Sequence, residues 1–306
     1  MTKTAFRLPV RPLALTIALS AALSAGCSSI NRDTAAEADS AHSAHSAASA
    51  TDASGAALDA AIAGAWRDPK NSARDAFRNP RETLAFFDVR PDHTVVEITP
   101  GAGGWYAEIL APYLRERGTY VAAMVDPMAA AEGRARDYQQ NSLDGLKTRL
   151  AAHPAQFDRA QFALFDPKSP RFTAPGTADV VLTFRNVHNW NGGGLAPGYF
   201  KASFDALKPG GTLGVVDHRA KPGTDAETMR KSGYITEDVV IALATDAGFV
   251  LDGRSEVNAN PKDDTDHPNG VWTLPPTNRH DAEDAAQYRA IGESDRMTLR
   301  FRKPAA

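Results

Sequence analysis

The sequence predicts an α/β fold in which a mostly parallel sheet is covered by helices on both faces. Short, fully apolar runs such as 178–184 (ADVVLTF) alternate with helical stretches, and such runs are typical of parallel strands buried on both faces. Several of these strands end in an acid or a glycine cluster, where open α/β sheets bind ligands. The chain of 306 residues is 42% apolar and 23% charged, which is the composition of a globular protein.

The elements follow in order along the chain. Helices over 58–66 and 72–87 form an N-terminal cap, and Pro80 restarts the second one at a favoured first-turn position. β-Branched and apolar runs predict strands over 94–98, 120–125, 162–165, 178–184, 212–216, 249–257 and 296–301. Helices are predicted over 105–117, 129–150, 195–207 and 236–247. The segment 258–294 is rich in Asp, Asn, Pro and His, and predicts an irregular excursion over one end of the domain.

The first residues predict an export signal. Lys3, Arg7 and Arg11 precede the apolar run 13–26, which is typical of a signal peptide and too short to span a bilayer. The run ends in LSAGC, which resembles the lipobox of bacterial lipoproteins. That resemblance implies cleavage after residue 26, a lipid on Cys27, and, with Ser28 following, an outer-membrane location facing the periplasm. The alternative is ordinary cleavage that leaves Cys27 unmodified.

Composition and charge divide the chain further. Ala and Ser fill 18 of the 30 positions in 28–57, so residues 27–57 are predicted to be a flexible tether, and residues 58–306 a single folded domain. The net charge of −3 becomes −6 when residues 1–26, with three basic residues and no acid, are removed. This charge argues against nucleic acid as a partner and leaves a lipid on Cys27 as the expected membrane contact. A single cysteine excludes intrachain disulfides and multi-thiolate metal sites.

A glycine turn follows the first strand, in VVEITPGAGGW. Gly101, Gly103 and Gly104 allow positive φ and a close approach of a ligand to the backbone. A dinucleotide fold would have GxGxxG here, and Tyr106 at the sixth position is expected to crowd a pyrophosphate. Asp126 ends the second strand, where both dinucleotide and S-adenosylmethionine enzymes bind ribose hydroxyls.

VVEITPGAGGW, FALFD, ADVVLTFRNVHNW and ALKPGGTLGVVDH resemble the successive motifs of class I S-adenosylmethionine-dependent methyltransferases. Residues 66–303 are similar to a family of exported bacterial predicted methyltransferases whose substrates are not established. The resemblance implies a Rossmann-like fold with a seven-stranded sheet of order 3-2-1-4-5-7-6 and S-adenosylmethionine as cofactor. Strand 7 is antiparallel in that fold, which suits the alternating pattern of 296–301.

The resemblance also implies the cofactor-binding residues. Glu97, Gly101 and Gly103 would contact the methionine end of the cofactor, Asp126 the ribose hydroxyls and Asp166 the adenine amino group. The complete expected set is Glu97, Thr99, Gly101, Ala102, Gly103, Asp126, Asp166 and Asn186. Each acid has a structural alternative: Asp166 as a turn cap, Asp126 likewise before a proline, and Glu97 as an acceptor for local amides.

His188, Asp217 and His218 are the candidate catalytic residues. His188 follows the fourth strand, where the methyl acceptor would lie, and an imidazole titrates near neutrality, as a general base should. Asp217 and His218 follow the fifth strand and should converge on the same region, where the acid orients a histidine. The alternative for His188 is a structural role. Trp190 is expected to be a core aromatic rather than a partner for the sulfonium.

Two charged clusters each allow two interpretations. His267 with Asp263, Asp264 and Asp266 suggests a cation site, but an exposed polar loop is the favoured interpretation, and no metal is predicted. Arg74, Asp75 and Arg78 on the cap either close over the site or are solvent-facing helix charges.

Three functions follow from these patterns. The leading one is an S-adenosylmethionine-dependent methyltransferase acting on a small-molecule or lipid-like acceptor. An NAD(P)-dependent oxidoreductase is disfavoured by Tyr106 and by the LKPGG motif. The third is a non-catalytic exported binding lipoprotein that keeps the fold, since S-adenosylmethionine is made in the cytosol.

Overall fold

The structure, a computed structural model, describes residues 54–305. The predicted signal peptide, Cys27 and residues 27–53 of the predicted tether lie outside the described residues. Helix α1 spans 54–62, so residues 54–57, assigned to the tether, are helical instead. The Ser54 hydroxyl is 2.8 Å from that of Tyr113, and Leu58 is buried, which holds α1 against the domain. Within residues 54–305, no helix is long and apolar enough to cross a membrane.

The N-terminal cap consists of short helices rather than the two long ones predicted. After α1 come α2 (Pro69–Ser72), α3 (Asp75–Arg78) and α4 (Pro80–Phe86). Asn79 interrupts the helical conformation between α3 and α4 with a left-handed φ of 40°, and α4 then begins at Pro80 as predicted. Leu84 and Phe87 are fully buried, so the end of this cap packs directly on the sheet.

The sheet has seven strands in the order β3-β2-β1-β4-β5-β7-β6. Its members are β1 (Thr94–Ile98), β2 (Thr119–Val125), β3 (Gln161–Phe165), β4 (Ala178–Phe184), β5 (Leu207–His218), β6 (Val250–Ser255) and β7 (Arg296–Arg302). β7 runs antiparallel to both of its neighbours, and the other pairs are parallel. This is the Rossmann-like class I methyltransferase arrangement, so the predicted strand order and direction are confirmed.

Helices cover both faces of this sheet, and three short ones were missed by the sequence prediction. Those predicted are α5 (Ala107–Leu114), α6 (Arg134–Ala151), α9 (Ala196–Ala206) and α11 (Glu237–Asp246). Those not predicted are α7 (Pro154–Phe157), α8 (Val187–Gly192) and α10 (Ala226–Ser232). A 3-10 turn over Pro127–Ala129 precedes α6, which therefore begins later than expected.

The LKPGG segment belongs to β5 rather than to the break before it. Leu207 pairs with Ala178, and the register then shifts before Thr212 pairs with Val180. Gly210, with a φ of 77°, allows the extra residues to bulge because left-handed backbone carries no steric penalty for glycine.

Each face of the sheet has its own apolar core. One core includes Val96 and Ile98 of β1 and packs under α8 to α11. The other includes Val95 of β1 and packs under α4, α5 and α6. Segment 258–294 forms the predicted irregular excursion, with 3-10 turns Gly270–Thr273 and Ala282–Asp284 and helix α12 (Ala285–Ile291).

Candidate active site

The chain reverses its direction of travel across the sheet between β1 and β4, and the candidate site lies beyond their carboxyl ends. The residues that follow these strands, Thr99 and Arg185, both have left-handed backbones, with φ of 48° and 62°. Their N–H groups still donate to the neighbouring strands, to the carbonyls of Ala123 and Val216. Non-glycine residues rarely adopt this conformation, and such strain is concentrated at functional sites.

Asn186 joins the two strand ends. Its side-chain amide donates to the Ile98 carbonyl at 3.0 Å and to the Thr183 hydroxyl at 3.2 Å. The strand ends are thereby fixed to each other at the point where open α/β sheets bind ligands.

The larger of two adjoining cavities lies here and has a volume of about 920 Å³. It lies between the β1 and β4 ends on one side and the start of α6 on the other. Its lining is mainly apolar or small, with Thr99, Ser142, Lys168 and Asn186 among the polar residues. Pockets for cofactors and drug-sized molecules have volumes of roughly 300–1,000 Å³, so a molecule of cofactor size fits.

The residues predicted to bind a cofactor divide by position. Thr99, Gly101 and Asn186 line the larger cavity. Ala102 and Gly103 lie beside it on the exposed glycine turn. The cap holds this turn in place, because the Asn71 amide donates to the Gly103 carbonyl at 2.9 Å.

Asp126 and Asp166 both cap turns at strand ends. Asp126 accepts from the Met128 N–H at 2.9 Å and begins the 3-10 turn next to the larger cavity. Asp166 accepts from the Lys168 N–H at 2.8 Å and is exposed. The structural alternative raised for each residue is therefore present, and for Asp126 it coexists with a place at the cavity edge.

Glu97 lines neither cavity. It shares a face of β1 with Val95, and its Oε2 accepts the Tyr120 hydroxyl at 2.7 Å. The side chain is buried, and burial raises the pKa of Glu97 to about 7. Tyr106 also belongs to this core, where its ring stacks on Phe184 with centroids 3.5 Å apart. The expectation that Tyr106 crowds a bound ligand is therefore wrong.

The smaller cavity, of about 240 Å³, opens beside the larger one. The two share a set of wall residues: Thr99, Gly101, Tyr138, Asn186 and Asn189. The excursion supplies a roof over the smaller cavity with Val271, Trp272 and the segment 275–277. His188, His218 and Arg185 complete its wall.

The structure brings the three candidate catalytic residues together. His188 Nδ1 lies 2.7 Å from Asp217 Oδ1, and Asp217 also accepts the backbone N–H groups of His188 and His218. Because the buried carboxylate is an acceptor, Nδ1 carries a proton and Nε2 is left as the free acceptor on this ring. His188 is therefore held as a base that lines the smaller cavity.

His218 has a different environment from His188. Its Nδ1 lies 2.6 Å from the Ser294 hydroxyl, and its ring centroid is 5.0 Å from that of His188. Burial, with the charges of Arg185 and Arg296 added to it, holds the pKa of His218 well below its usual range. The ring is thus neutral and acts as a wall and a hydrogen-bonding group.

Among the described residues, two clusters consist of residue types that bind metal ions: His188, Asp217 and His218, and Asp263, Asp264 and His267. Asp217 already accepts three N–H groups, as described above. Asp263 accepts the Tyr234 hydroxyl at 2.9 Å, His267 lies 2.8 Å away, and the Asp295 N–H donates at 2.7 Å. Both carboxylates therefore already have hydrogen-bond donors within the protein. The interpretation of 263–267 as an exposed polar loop is wrong at Asp263 and His267, whose side chains are buried.

An arginine cluster beside the smaller cavity was missed by sequence analysis. Glu293 pairs with Arg74 Nε at 2.6 Å and with Arg78 and Arg296 at 3.2 Å each. Burial alone would raise the pKa of Glu293, but the charges of these guanidinium groups lower it to about 2. Arg78 is 2% exposed and Arg74 is partly exposed, and both pair with Glu293, so neither is a freely solvent-facing helix charge.

Trp190 is buried and stacks on Tyr199 with ring centroids 4.2 Å apart. Both residues also line the larger cavity. Trp190 is therefore a core aromatic, as favoured from the sequence, with one edge at the cavity wall.

In comparisons with known proteins, no family model and no curated sequence matches this chain. Similar solved structures include a SAM-dependent methyltransferase from Aquifex aeolicus, with 14% identity and a TM-score of 0.49 over 77% of this chain and 94% of that one. Human N-acetylserotonin methyltransferase in complex with SAM has 14% sequence identity and a TM-score of 0.47, over 77% of this chain and 54% of that one. The mitomycin 7-O-methyltransferase MmcR has 16% identity and a TM-score of 0.46, over 76% of this chain and 54% of that one. This chain spans about half the length of the last two.

Proposed function

We propose that the protein is an S-adenosylmethionine-dependent methyltransferase that acts on a small-molecule acceptor. The observation that carries this proposal is the pair of cavities beyond the carboxyl ends of β1 and β4, the switch point of the sheet. One cavity is larger than the other, and they share a wall. A histidine held as a base lines only the smaller cavity. This arrangement suits a two-substrate transfer in which a cofactor fills one space and an acceptor the other.

The residues of the larger cavity fit S-adenosylmethionine. Thr99 Oγ1 is buried and has no hydrogen-bond partner within residues 54–305, and Thr99 lines the cavity, so a polar ligand atom would satisfy it. Gly101 has a φ of 73°, and a Cβ there would meet nothing within 4 Å, which leaves the turn open to a ligand. Asp126 directly follows the lining residue Val125 and would accept from ribose hydroxyls.

S-adenosylmethionine supplies a methyl group on a positively charged sulfur, so the protein's contribution is positioning and exclusion of water. Trp272 and the rest of the roof cover the acceptor space. His188 Nε2 would accept the proton of an acceptor hydroxyl, thiol or amine. Asp217 would stabilise the imidazolium that forms, because its carboxylate bonds to Nδ1.

Calorimetric titration of the purified full-length protein tests this proposal. S-adenosylmethionine and S-adenosylhomocysteine should bind with one-to-one stoichiometry, and NADH should not. Heat from NADH alone would favour the oxidoreductase, and no heat from either sulfur ligand would refute the proposal. Bound cofactor without methyl transfer to any acceptor would favour the non-catalytic lipoprotein.

A matched pair of variants localises the binding. Asp126→Ala should weaken S-adenosylmethionine binding by about tenfold or more, since a charge-assisted bond contributes about 1.5–3 kcal/mol. Asp225→Ala removes the same kind of turn cap, an acceptor for the Glu227 N–H at 2.9 Å, at an exposed position that lines neither cavity. Equal losses in the two variants would contradict a role for Asp126 in binding.

We also propose that the chain is exported and anchored by a lipid on Cys27, as a member of the exported family that its motifs resemble. The support is the LSAGC sequence after the apolar run 13–26. Metabolic labelling with a lipid precursor should mark the wild type and not Cys27→Ser. Equal labelling, or none in either, would refute the anchor without bearing on cofactor binding.

A further inference from the structure

We propose that the smaller cavity binds a carboxylate or phosphate group of the acceptor through Arg185, which makes the acceptor a small anion. This inference rests on the proposed function in taking the smaller cavity as the acceptor space. It selects a compact anionic substrate over a lipid-like one.

The first observation is an excess of positive charge. Four guanidinium groups, those of Arg74, Arg78, Arg185 and Arg296, are close enough to shift one another's charge equilibria. Glu293 is the one carboxylate among residues 54–305 that forms ion pairs with members of this group. The second nearby carboxylate, Asp217, is occupied by His188 and by the His218 N–H. Positive charge therefore exceeds negative charge beside the smaller cavity.

The second observation is the state of Arg185 itself. Its backbone N–H donates to the Val216 carbonyl at 2.7 Å, whereas its guanidinium forms no hydrogen bond or ion pair within the described residues. Burial lowers the pKa of Arg185 to about 10, so the group is still charged at neutral pH. A guanidinium group has five donors in a planar fork and binds carboxylate or phosphate in bidentate fashion.

The third observation is what surrounds this guanidinium. Besides Arg185, the cavity has polar wall residues such as Thr99, His188 and Asn189, and apolar ones such as Phe184 and Trp272. None of the wall residues in the described part of the chain has a carboxylate, so the wall supplies no counter-charge to the guanidinium. A bound anion would provide that counter-charge.

The position of Arg185 also orients the acceptor. His188 lies three residues further along the chain and lines the same cavity. Asn186, between them, lines both cavities. If the anionic group of the acceptor binds Arg185, the rest of the acceptor therefore lies near His188 and toward the larger cavity. The volume of about 240 Å³ limits this acceptor to a small molecule.

The test measures anion binding in the absence of cofactor. Benzoate and inorganic phosphate are titrated at millimolar concentrations into the full-length protein, with tryptophan fluorescence as the readout because Trp272 lines the cavity. Benzamide, a neutral molecule of nearly the same shape as benzoate, is the control ligand. Saturable binding of benzoate or phosphate, with benzamide much weaker, is expected.

Three variants locate the site. Arg185→Asn removes the charge and keeps a residue type that tolerates positive φ, so it should fold and bind the anions about 10- to 100-fold more weakly. Arg185→Lys keeps the charge without the planar fork and should lose less. Arg279→Asn removes an exposed arginine near the roof and should bind as the wild type does. Circular dichroism verifies that each variant is folded.

The outcomes separate the two proposals. No saturable binding of benzoate or phosphate, equal binding of benzamide and benzoate, or unchanged binding in Arg185→Asn would overturn the anion site, while cofactor titration would still test the methyltransferase. Anion binding that depends on Arg185 in a protein that binds no S-adenosylmethionine would support the site and refute the proposed function.

Discussion

Glu97 is a buried carboxyl group whose protonation should change the stability of the protein with pH. Its ordinary pKa is 4.5, and burial raises the pKa in the folded protein to about 7. Between these two values the folded state holds more protons than the unfolded state, so the free energy of unfolding falls as pH rises. The loss is complete above the folded-state pKa, and a rise of this size corresponds to about 3 kcal/mol.

Glu97→Gln isolates this contribution because an amide does not ionise. The amide has N–H groups that the Glu97 site does not satisfy, which costs about 1–3 kcal/mol at every pH. The difference in unfolding free energy between variant and wild type should therefore shift in favour of the variant by about 2.5 kcal/mol between about pH 5 and pH 8.5. Urea denaturation at both pH values measures this shift, and contributions from other titrating groups cancel in the difference.

The same difference at both pH values would refute the burial of an ionisable Glu97. Tyr120→Phe provides a second check, since it removes the hydroxyl that donates to Oε2 at 2.7 Å. That bond favours the ionised carboxylate, so its loss should make the decline of stability with pH steeper than in the wild type.

Three other substitutions test the site and the core. Thr99→Gly should raise the free energy of unfolding by about 1 kcal/mol, because it relieves a left-handed β-branched residue, and weaken S-adenosylmethionine binding; lower stability in denaturation would contradict this. Asp217→Asn should place the His188 proton on Nε2, which proton–nitrogen correlation spectra detect, and an unchanged tautomer would count against the His188–Asp217 pairing. The same substitution should lower the free energy of unfolding by about 3 kcal/mol in denaturation experiments. Gly214→Ala would bring a Cβ within 2.7 Å of both Leu182 and Phe87 and should cost about 1–3 kcal/mol with cofactor binding retained; unchanged stability would argue against this close contact.

Strands were the most predictable elements. β1 and β4 have the bounds expected from the sequence, because short β-branched runs between turn residues leave little freedom. The period-two alternation within β1 also indicates the direction of Glu97, since a residue two after Val95 shares its face. That alternation puts Glu97 on the face that packs under α4, α5 and α6, while the cofactor contact that the family resemblance implies stays a prediction.

Long-range assembly could not be predicted. Arg74 and Glu293 are 219 residues apart and meet only through the fold, so neither local charge patterning nor helix periodicity indicates their pairing. Arg185 appeared in the sequence as one residue of a strand-end motif. Its significance comes from having no side-chain partner among residues 54–305. The His188–Asp217 contact was predictable, because consecutive parallel strands bring their carboxyl ends together.

The central claim is that the switch-point cavity is the cofactor site, and hydrogen–deuterium exchange with S-adenosylhomocysteine tests it most directly. Bound ligand should slow exchange in residues 99–104, 129–142 and 186–195, which include the glycine turn, the start of α6 and α8. The edge strand β6 should exchange as in the free protein. Protection confined to other segments, or no protection at saturating ligand, would contradict the claim.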